Sequence, residues 1–373
     1  MGAMRVVVVG AGVVGLSIAW RAAGGGMDVV VVDPAPERGA SRVAAGMLAP
    51  VTEVHYGEEA LLALNLDSNR RYPGFVAELE ACTGMSTGYR ASGTLSVARD
   101  ADDLAALDDL VRYQRGLGLE VERLGRRELR RLEPALAPGV RGGALVAGDH
   151  QVDPRRLVAA LGEACRGRGV ALLAVRASAV RSGAVTVEGG EIGATVEGDA
   201  VVVAAGCWSG RLDGFAPEAI PPVRPVKGQI LRLRGRATPP LATRNIRGLD
   251  AYLVFREDGE VVVGATVEER GYDTGVTAGA VHDLLHAAVE LVPEVGELAL
   301  VETAAGLRPG TPDNAPLLGP THLDGVVLAT GHHRNGVLLA PATAAAVVEL
   351  LATGTTPPAI AAFVPGRFER VPA

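Results

Sequence analysis

Apolar positions in this chain come mostly in short unbroken runs, and the residues that interrupt them gather at glycine-rich junctions. Residues 6–9 are consecutive valines, the composition of a strand covered on both faces within a parallel sheet. Gly10-Ala11-Gly12-Val13-Val14-Gly15 follows, 16–23 has helix-compatible composition, and 29–32 is a second valine run closed by Asp33. The order strand, glycine turn, helix, strand, acid predicts a dinucleotide-binding unit. Gly10 permits the tight turn, Gly12 lets the backbone approach a diphosphate, and Gly15 lets helix and strand pack closely. Asp33 stands 18 residues beyond Gly15, where a carboxylate meets an adenosine ribose. The motif by itself does not separate FAD from NAD.

Farther along, 58–84 and 100–134 read as helices, the second highly charged. A strand returns near 143–147, Asp153 and Pro154 supply the N-cap and first position of a helix reaching about Arg168, and 170–175 is another strand. Residues 180–199 read as a small hairpin region rich in Gly and Thr, and 200–204 as a buried strand running into Ala204-Ala205-Gly206-Cys207-Trp208-Ser209. The stretch AYLVFREDGEVVVGAT alternates on both sides of Asp258-Gly259, a strong hairpin signal. A helix is expected at 278–291 and a strand near 298–303. Strands so widely separated imply a discontinuous nucleotide-binding domain with a second domain inserted. The expected division is 1–85, 143–221 and 304–373 for the first, and 86–142 with 222–303 for the second.

The C-terminal part carries another glycine-bounded junction. Gly306-Leu307-Arg308-Pro309-Gly310-Thr311-Pro312-Asp313 fixes one arginine at the end of a strand between glycines and prolines. Residues 325–330 form a buried strand, Gly331-His332-His333-Arg334-Asn335-Gly336-Val337 a turn, and an Ala/Leu/Val helix runs to about Leu351. This junction aims a helix N-terminus, with its partial positive charge, at the sheet edge. Such a charge stabilises the negative charge that a reduced isoalloxazine gains over its pyrimidine side. An NAD domain needs no such junction, and no second G-x-G-x-x-G offers a nicotinamide site. The expected cofactor is therefore FAD, bound non-covalently and reduced directly by an organic substrate.

Composition narrows the picture. With 373 residues, 48% hydrophobic and 21% charged, the chain suits a folded protein of two or three structural units. Formal charge is −7, and no Lys/Arg block forms the one-signed stripe that nucleic acid requires. Of 36 basic residues only Lys227 is a lysine, so a functional arginine must be argued from its surroundings. Cys82, Cys165 and Cys207 are widely spaced with no Cys-x-x-Cys, which suits a reducing cytoplasm better than a disulfide framework or thiolate zinc site. Glycine placement makes the first apolar run part of a folded unit and not a signal peptide. No later segment reaches the unbroken run of about 18 apolar residues that a membrane span requires. A cytosolic protein with no membrane or nucleic-acid partner is expected. His282 and His286 share a helical face, but the metalloprotease pattern wants Glu where Asp283 stands and nothing nominates a third ligand, so no metal is expected. Cys207 lacks the spacing of a nucleophile elbow.

Taken together, GAGVVG, ASRVAAGMLAP, AAGCWS, AGLRPGTPDNAPLLG and TGHHRNGVLLAPATA extend over essentially the whole length. The chain resembles the glycine oxidase branch of the D-amino acid oxidase family of FAD-dependent oxidoreductases. The resemblance implies an α/β fold: an FAD-binding Rossmann-like domain of the glutathione-reductase type, with an inserted α+β substrate-binding domain built on an antiparallel sheet. It implies that Ser41, Ala44, Ala45, Gly46 and Met47 line the flavin and that Val175 meets the adenine side through its backbone. Val13, Val14 and Pro34 complete the first junction, and Ala205, Gly206, Trp208 and Gly306 join the cofactor site. His332, His333, Arg334, Asn335, Gly336, Val337 and Leu338 would hold the ring. Arg308 matches the arginine that takes the substrate carboxylate, Tyr252 the tyrosine beside it, and Arg334 lies at the flavin edge.

The implied activity is oxidation of glycine, a related small amino acid or an N-substituted glycine, with hydride passing from the α carbon to flavin. An imine and then an oxo acid result, and dioxygen reoxidises the flavin to give hydrogen peroxide, in thiamine biosynthesis. The alternatives are a specialised-metabolism oxidase of an N-substituted glycine or D-amino acid, and a dehydrogenase using another electron acceptor. A guanidinium suits the carboxylate because two parallel hydrogen bonds fix orientation as well as charge. The chain also departs from the family. His333 stands where relatives often carry an aromatic ring, and Asp250, two residues before Tyr252 on the same strand face, brings a carboxylate near the pocket. With Val267 and Met47 they complete the expected substrate pocket. An inward Asp250 would favour a substrate with an additional cationic group. Self-association into a homo-oligomer stays open.

Overall fold

The computed structural model describes residues 2–36, 38–189 and 194–368, and the statements below concern these. The two valine runs are the strands Arg5–Val9 and Asp28–Val32, paired in parallel, with the helix Val13–Gly24 crossing between them. The sheet they nucleate has the order Leu317–Pro320, Val326–Thr330, Ala200–Val203, Arg5–Val9, Asp28–Val32, Ala171–Leu173. Only the edge pair 317–320 with 326–330 is antiparallel. Valine recurs without alternation because both faces are covered. Val6 and Val8 enter a core shared with the helices Val13–Gly24, Glu59–Thr83, Pro154–Gly167 and Gly336–Thr353. Val7 and Val9 enter a second core under the three-stranded sheet of Arg176–Arg181, Ala184–Glu188 and Thr195–Glu197. The hairpin expected at 180–199 is thus three strands starting earlier, and residues 190–193 lie outside the described residues.

The helix Gly336–Thr353 is long and apolar enough to cross a membrane, which differs from the expectation that no later segment reaches that length. Its apolar content is spent on the core: Leu338, Leu339, Ala342 and Val347 are buried with Leu16, Trp20 and Tyr72 of the neighbouring helices.

The second sheet runs Ala299–Gly310, Arg224–Arg234, Glu260–Gly264, Tyr252–Phe255, Asn245–Arg247, Thr94–Ala98, Gly142–Val146, Glu122–Gly125. It is antiparallel except where Asn245–Arg247 meets Thr94–Ala98. The hairpin turns at Asp258-Gly259 as the sequence indicates, and the helix Ala278–Leu291 packs Leu284, Ala288 and Leu291 beneath it. Residues 100–134 do not form one helix. Ala101–Gly116 ends at Leu117-Gly118, the latter at φ +76°, and the edge strand Glu122–Gly125 and helix Arg126–Leu132 follow. The charge that suggested a solvated helix belongs partly to an edge strand, where outward charges block further pairing.

Two strands cross the domain edges expected from sequence. Gly142–Val146 belongs to the second sheet, so the chain changes sheets after residue 146 and not at 143. Ala299–Gly310 is one strand running through residues 303 and 304, paired with Arg224–Arg234 from Ala299 opposite Arg234 to Gly310 opposite Arg224. It ends where both sheets meet, and Arg155 braces it from the nucleotide side with two hydrogen bonds to Glu302, at 2.9 and 2.5 Å.

Replacing Leu339, fully buried in the helical core, by alanine is expected to cost about 2–5 kcal/mol. Urea unfolding of the variant measures this, and a loss below about 1 kcal/mol would contradict the packing described.

Candidate active site

A cavity of about 480 Å³ lies between the two sheets. At one end stand Asp33, Pro34, Ala35 and Arg38, with Arg176 and Ala177. Asp33 closes the first junction: its carboxylate accepts the N–H of Ala11 at 2.7 Å and of Ala35 at 2.8 Å. Gly10, at φ +111°, makes the turn, and Gly12, Val13 and Val14 line the cavity at the start of the helix Val13–Gly24. That helix has no acidic residue in its first turn, so its positive end is free for a diphosphate. Gly15 is not in the wall, because it packs under the turn, where a side chain would fall on the Gly10 carbonyl. Ser41 accepts the Val13 N–H at 3.1 Å and continues the wall through Ala44, Ala45, Gly46 and Met47. The buried Arg256 holds this segment by donating to the carbonyls of Ala45 and Val152.

Ala205, Gly206, Trp208 and Gly306 line the middle. Val175 packs with the second core, and its neighbours Arg176 and Ala177 face the cavity instead. At the C-terminal junction His332, His333, Arg334, Gly336 and Val337 form the wall. Asn335 and Leu338 are buried behind it, Asn335 as the N-cap residue of the helix Gly336–Thr353. This helix too has no acid in its first turn.

The other end is built on the second sheet. Arg308 pairs across from Val226, and its Nη1 donates to the carbonyls of Thr266 at 3.1 Å and Lys227 at 3.4 Å. Backbone carbonyls orient the guanidinium without neutralising it, which leaves its charge for an anion. Its space exists because residue 228 is glycine: a Cβ there would fall on the guanidinium. Tyr252 depends in the same way on its cross-strand neighbour Gly264, whose Cβ would meet the phenol ring. Burial raises the Tyr252 pKa, while the Arg308 charge beside it pulls the other way, so the phenol stays protonated as a hydrogen-bond donor. Met47 and Ile230 add apolar wall.

Two expected pocket residues are elsewhere. Asp250 is exposed and bonds Arg99 at 2.6 Å, in a cluster where Arg99 also holds Asp103 and Glu290. Val267 is 69% exposed, in the segment after the strand Glu260–Gly264, where the carbonyl of the preceding Thr266 accepts from Arg308. The carboxylate in the wall at this end is Glu53, which bonds Arg247 at 2.7 Å on the strand next to Tyr252. Nothing in the sequence pattern marked Glu53. Its loop is held by the buried Asp149, which accepts the N–H groups of Val51 and Thr52 and the Thr52 hydroxyl at 3.2, 2.7 and 2.6 Å. Arg334 contacts His55 Nε2 at 2.5 Å and lies 3.9 Å from Glu58, on the same loop. Cys207 lines the cavity with its thiol pushed up to about 12 by burial, unsuited to nucleophilic work. His282 and His286 stack with ring centres 6.1 Å apart on an exposed helix face, and no third metal ligand joins them among the described residues.

A long cleft with an acid at one end, two bare helix N-termini along it and an oriented guanidinium at the other fits FAD and a small carboxylate beside its ring. The sequence pattern of the DAO family, FAD dependent oxidoreductase, matches residues 5–350. The chain belongs to this family. The bifunctional protein ThiO/ThiG of Synechocystis sp. is 37% identical over 97% of the chain. The chain covers 54% of that protein, about half the length of the bifunctional relatives it matches. The hydrogen cyanide synthase subunit HcnC of Pseudomonas aeruginosa is 32% identical over 99% of this chain and 97% of its own. The crystal structure of glycine oxidase from Geobacillus kaustophilus superposes with a TM-score of 0.89 at 31% identity, covering 99% of this chain and 100% of that one. The chain is thus an FAD-dependent oxidoreductase of the glycine oxidase type within the DAO family.

Gly228→Ala should displace the Arg308 guanidinium and raise KM for a carboxylate substrate by about tenfold or more, the loss of one to two kcal/mol, with FAD content unchanged. An unaltered KM would separate Arg308 from Gly228. Burial pushes the Asp149 carboxyl up to about 7. Because the folded value exceeds the unfolded ~3.9, the stability this group contributes is present below about pH 4 and is lost as pH rises through the folded value. Asp149→Asn should therefore flatten the decline of unfolding free energy across that window relative to wild type, measured by denaturation at several pH values. Parallel curves would contradict the assignment.

Proposed function

We propose that the protein oxidises glycine or a closely related small amino acid or N-substituted glycine, with dioxygen as the final acceptor and hydrogen peroxide as product. The observation that carries this reading is Arg308, a cavity-facing guanidinium oriented by the neutral carbonyl oxygens of Thr266 and Lys227 beside the Tyr252 hydroxyl. Arg308 receives the carboxylate through paired N–H groups, and the Tyr252 hydroxyl beside it donates to the same anion. With that end fixed, the α C–H is presented at a constant distance, and orientation supplies much of the rate. Bound FAD supplies the two-electron acceptor. Met47, Ile230 and the Glu53–Arg247 pair limit the room left for a side chain, which favours small substrates.

Similarity to the ThiO/ThiG proteins supports a role in thiamine biosynthesis. The three free cysteines fit a reducing compartment, and the cytoplasm is the compartment proposed. A second reading takes the chain as a dehydrogenase handing electrons to another acceptor, and its support is the full-length similarity to a synthase subunit.

Peroxide release from glycine, sarcosine and D-alanine under air tests the proposal. Arg308→Ala should lower kcat/KM on the order of 100-fold, about 3 kcal/mol, as when one partner of a charge-assisted pair is lost. Turnover with an artificial acceptor but without peroxide would favour the dehydrogenase, and an unchanged Arg308→Ala would remove this residue from the site.

A further inference from the structure

His332 and His333 are chain neighbours with opposite surroundings. The His332 ring is buried in the core, and its Nε2 is 3.0 Å from Thr343 Oγ1. His333 has left-handed backbone, φ +46°, which a residue with a side chain adopts only under constraint, and its ring lines the cavity. Its backbone N–H donates to the Pro309 carbonyl at 2.9 Å, so it is anchored one residue from Arg308. Nδ1 of His333 is shielded from the cavity as well as from solvent, so a ligand there can meet only Nε2, which has no hydrogen-bond partner among the described residues. The charged groups acting on the ring are Arg334, Arg308 and Arg224, opposed by Glu53. Burial and these three cations hold the His333 pKa down to about 4, so the imidazole is neutral and keeps one nitrogen lone pair as an acceptor.

Resting on the amino acid oxidase reading, we propose that His333 accepts a hydrogen bond from the substrate amine and so separates amino acids from plain carboxylic acids. Arg308 recognises a carboxylate and would hold acetate as readily as glycine. A neutral acceptor beside it adds a contact that only an amine can satisfy. The same guanidiniums that keep the imidazole neutral also oppose a positive charge on the substrate nitrogen, which favours the neutral amine whose lone pair forms the imine as the α carbon gives up hydride.

The test uses FAD-loaded wild type and the variants His333→Phe, His333→Gly and His333→Asn. KM for glycine and the Kd of acetate, read from the change in flavin absorption, are compared, together with the Kd of FAD for each apoprotein. Phe and Gly should raise KM for glycine about tenfold, the loss of one hydrogen bond, while the acetate constant of the FAD-loaded variants stays within about twofold. Glycine at 333 relieves the left-handed backbone, so it keeps the test valid if the Phe variant folds poorly. Asn, which accepts a hydrogen bond and tolerates that backbone, should recover most of the glycine KM. Parallel weakening of glycine and acetate, a shift confined to FAD, or no change would overturn the role. A wild-type protein that binds acetate but oxidises no amine would overturn the proposed function as well, and with it the amine that His333 receives.

Discussion

The pairing of Arg224–Arg234 with Ala299–Gly310 determines where the guanidinium of Arg308 can be, and much of the site is arranged around that ladder. Both strands belong to the second sheet, yet the ladder ends at the cavity, so the second sheet delivers a cation to the mouth of the nucleotide sheet. A ladder of backbone hydrogen bonds is stiff, which lets one residue on it hold a substrate in register with a cofactor bound on another sheet. Gly306 and Gly228 stand opposite each other on it. A Cβ at Gly306 would meet Val43 of the flavin-side segment, and one at Gly228 would meet Arg308 itself. The two sheets approach this closely because the ladder is bare at that step.

Charge along the cleft follows the same economy. The helices Val13–Gly24 and Gly336–Thr353 both start at the cavity without an acid in their first turn, so each presents unneutralised N–H groups. Arg308 is oriented by carbonyl oxygens, Arg334 by an imidazole and a more distant carboxylate, and Glu53 is matched by Arg247. The Arg308 guanidinium is thus already aimed and, among the described residues, not paired in a close salt bridge, which is what the proposed carboxylate substrate requires. Such prearranged polarity costs little reorganisation when the substrate enters.

Much of this was legible in the sequence because it is local. The glycines of the first junction, the Asp258-Gly259 hairpin and the helix Ala278–Leu291 depend on neighbours along the chain, and there sequence and structure agree. What was not legible depends on partners far away. Asp250 turns outward to Arg99, the cation that also binds Asp103 and Glu290, and no periodicity carries that information. Glu53 turns inward because Asp149 pins its loop and Arg247 awaits it. Gly228 and Gly264 look like ordinary strand glycines until the cross-strand register shows which side chains fill their missing Cβ positions. The break at Leu117-Gly118 was hidden because an edge strand with outward charges has the composition of a solvated helix.

Anaerobic mixing of the FAD-loaded protein with glycine asks whether a small amino acid clamped at Arg308 reduces the flavin without any other protein or acceptor. Saturable loss of the flavin's visible absorption, slowed by acetate competing for the same guanidinium, is the expected result. An unchanged spectrum with glycine and its small relatives, or bleaching that acetate does not slow, would contradict it.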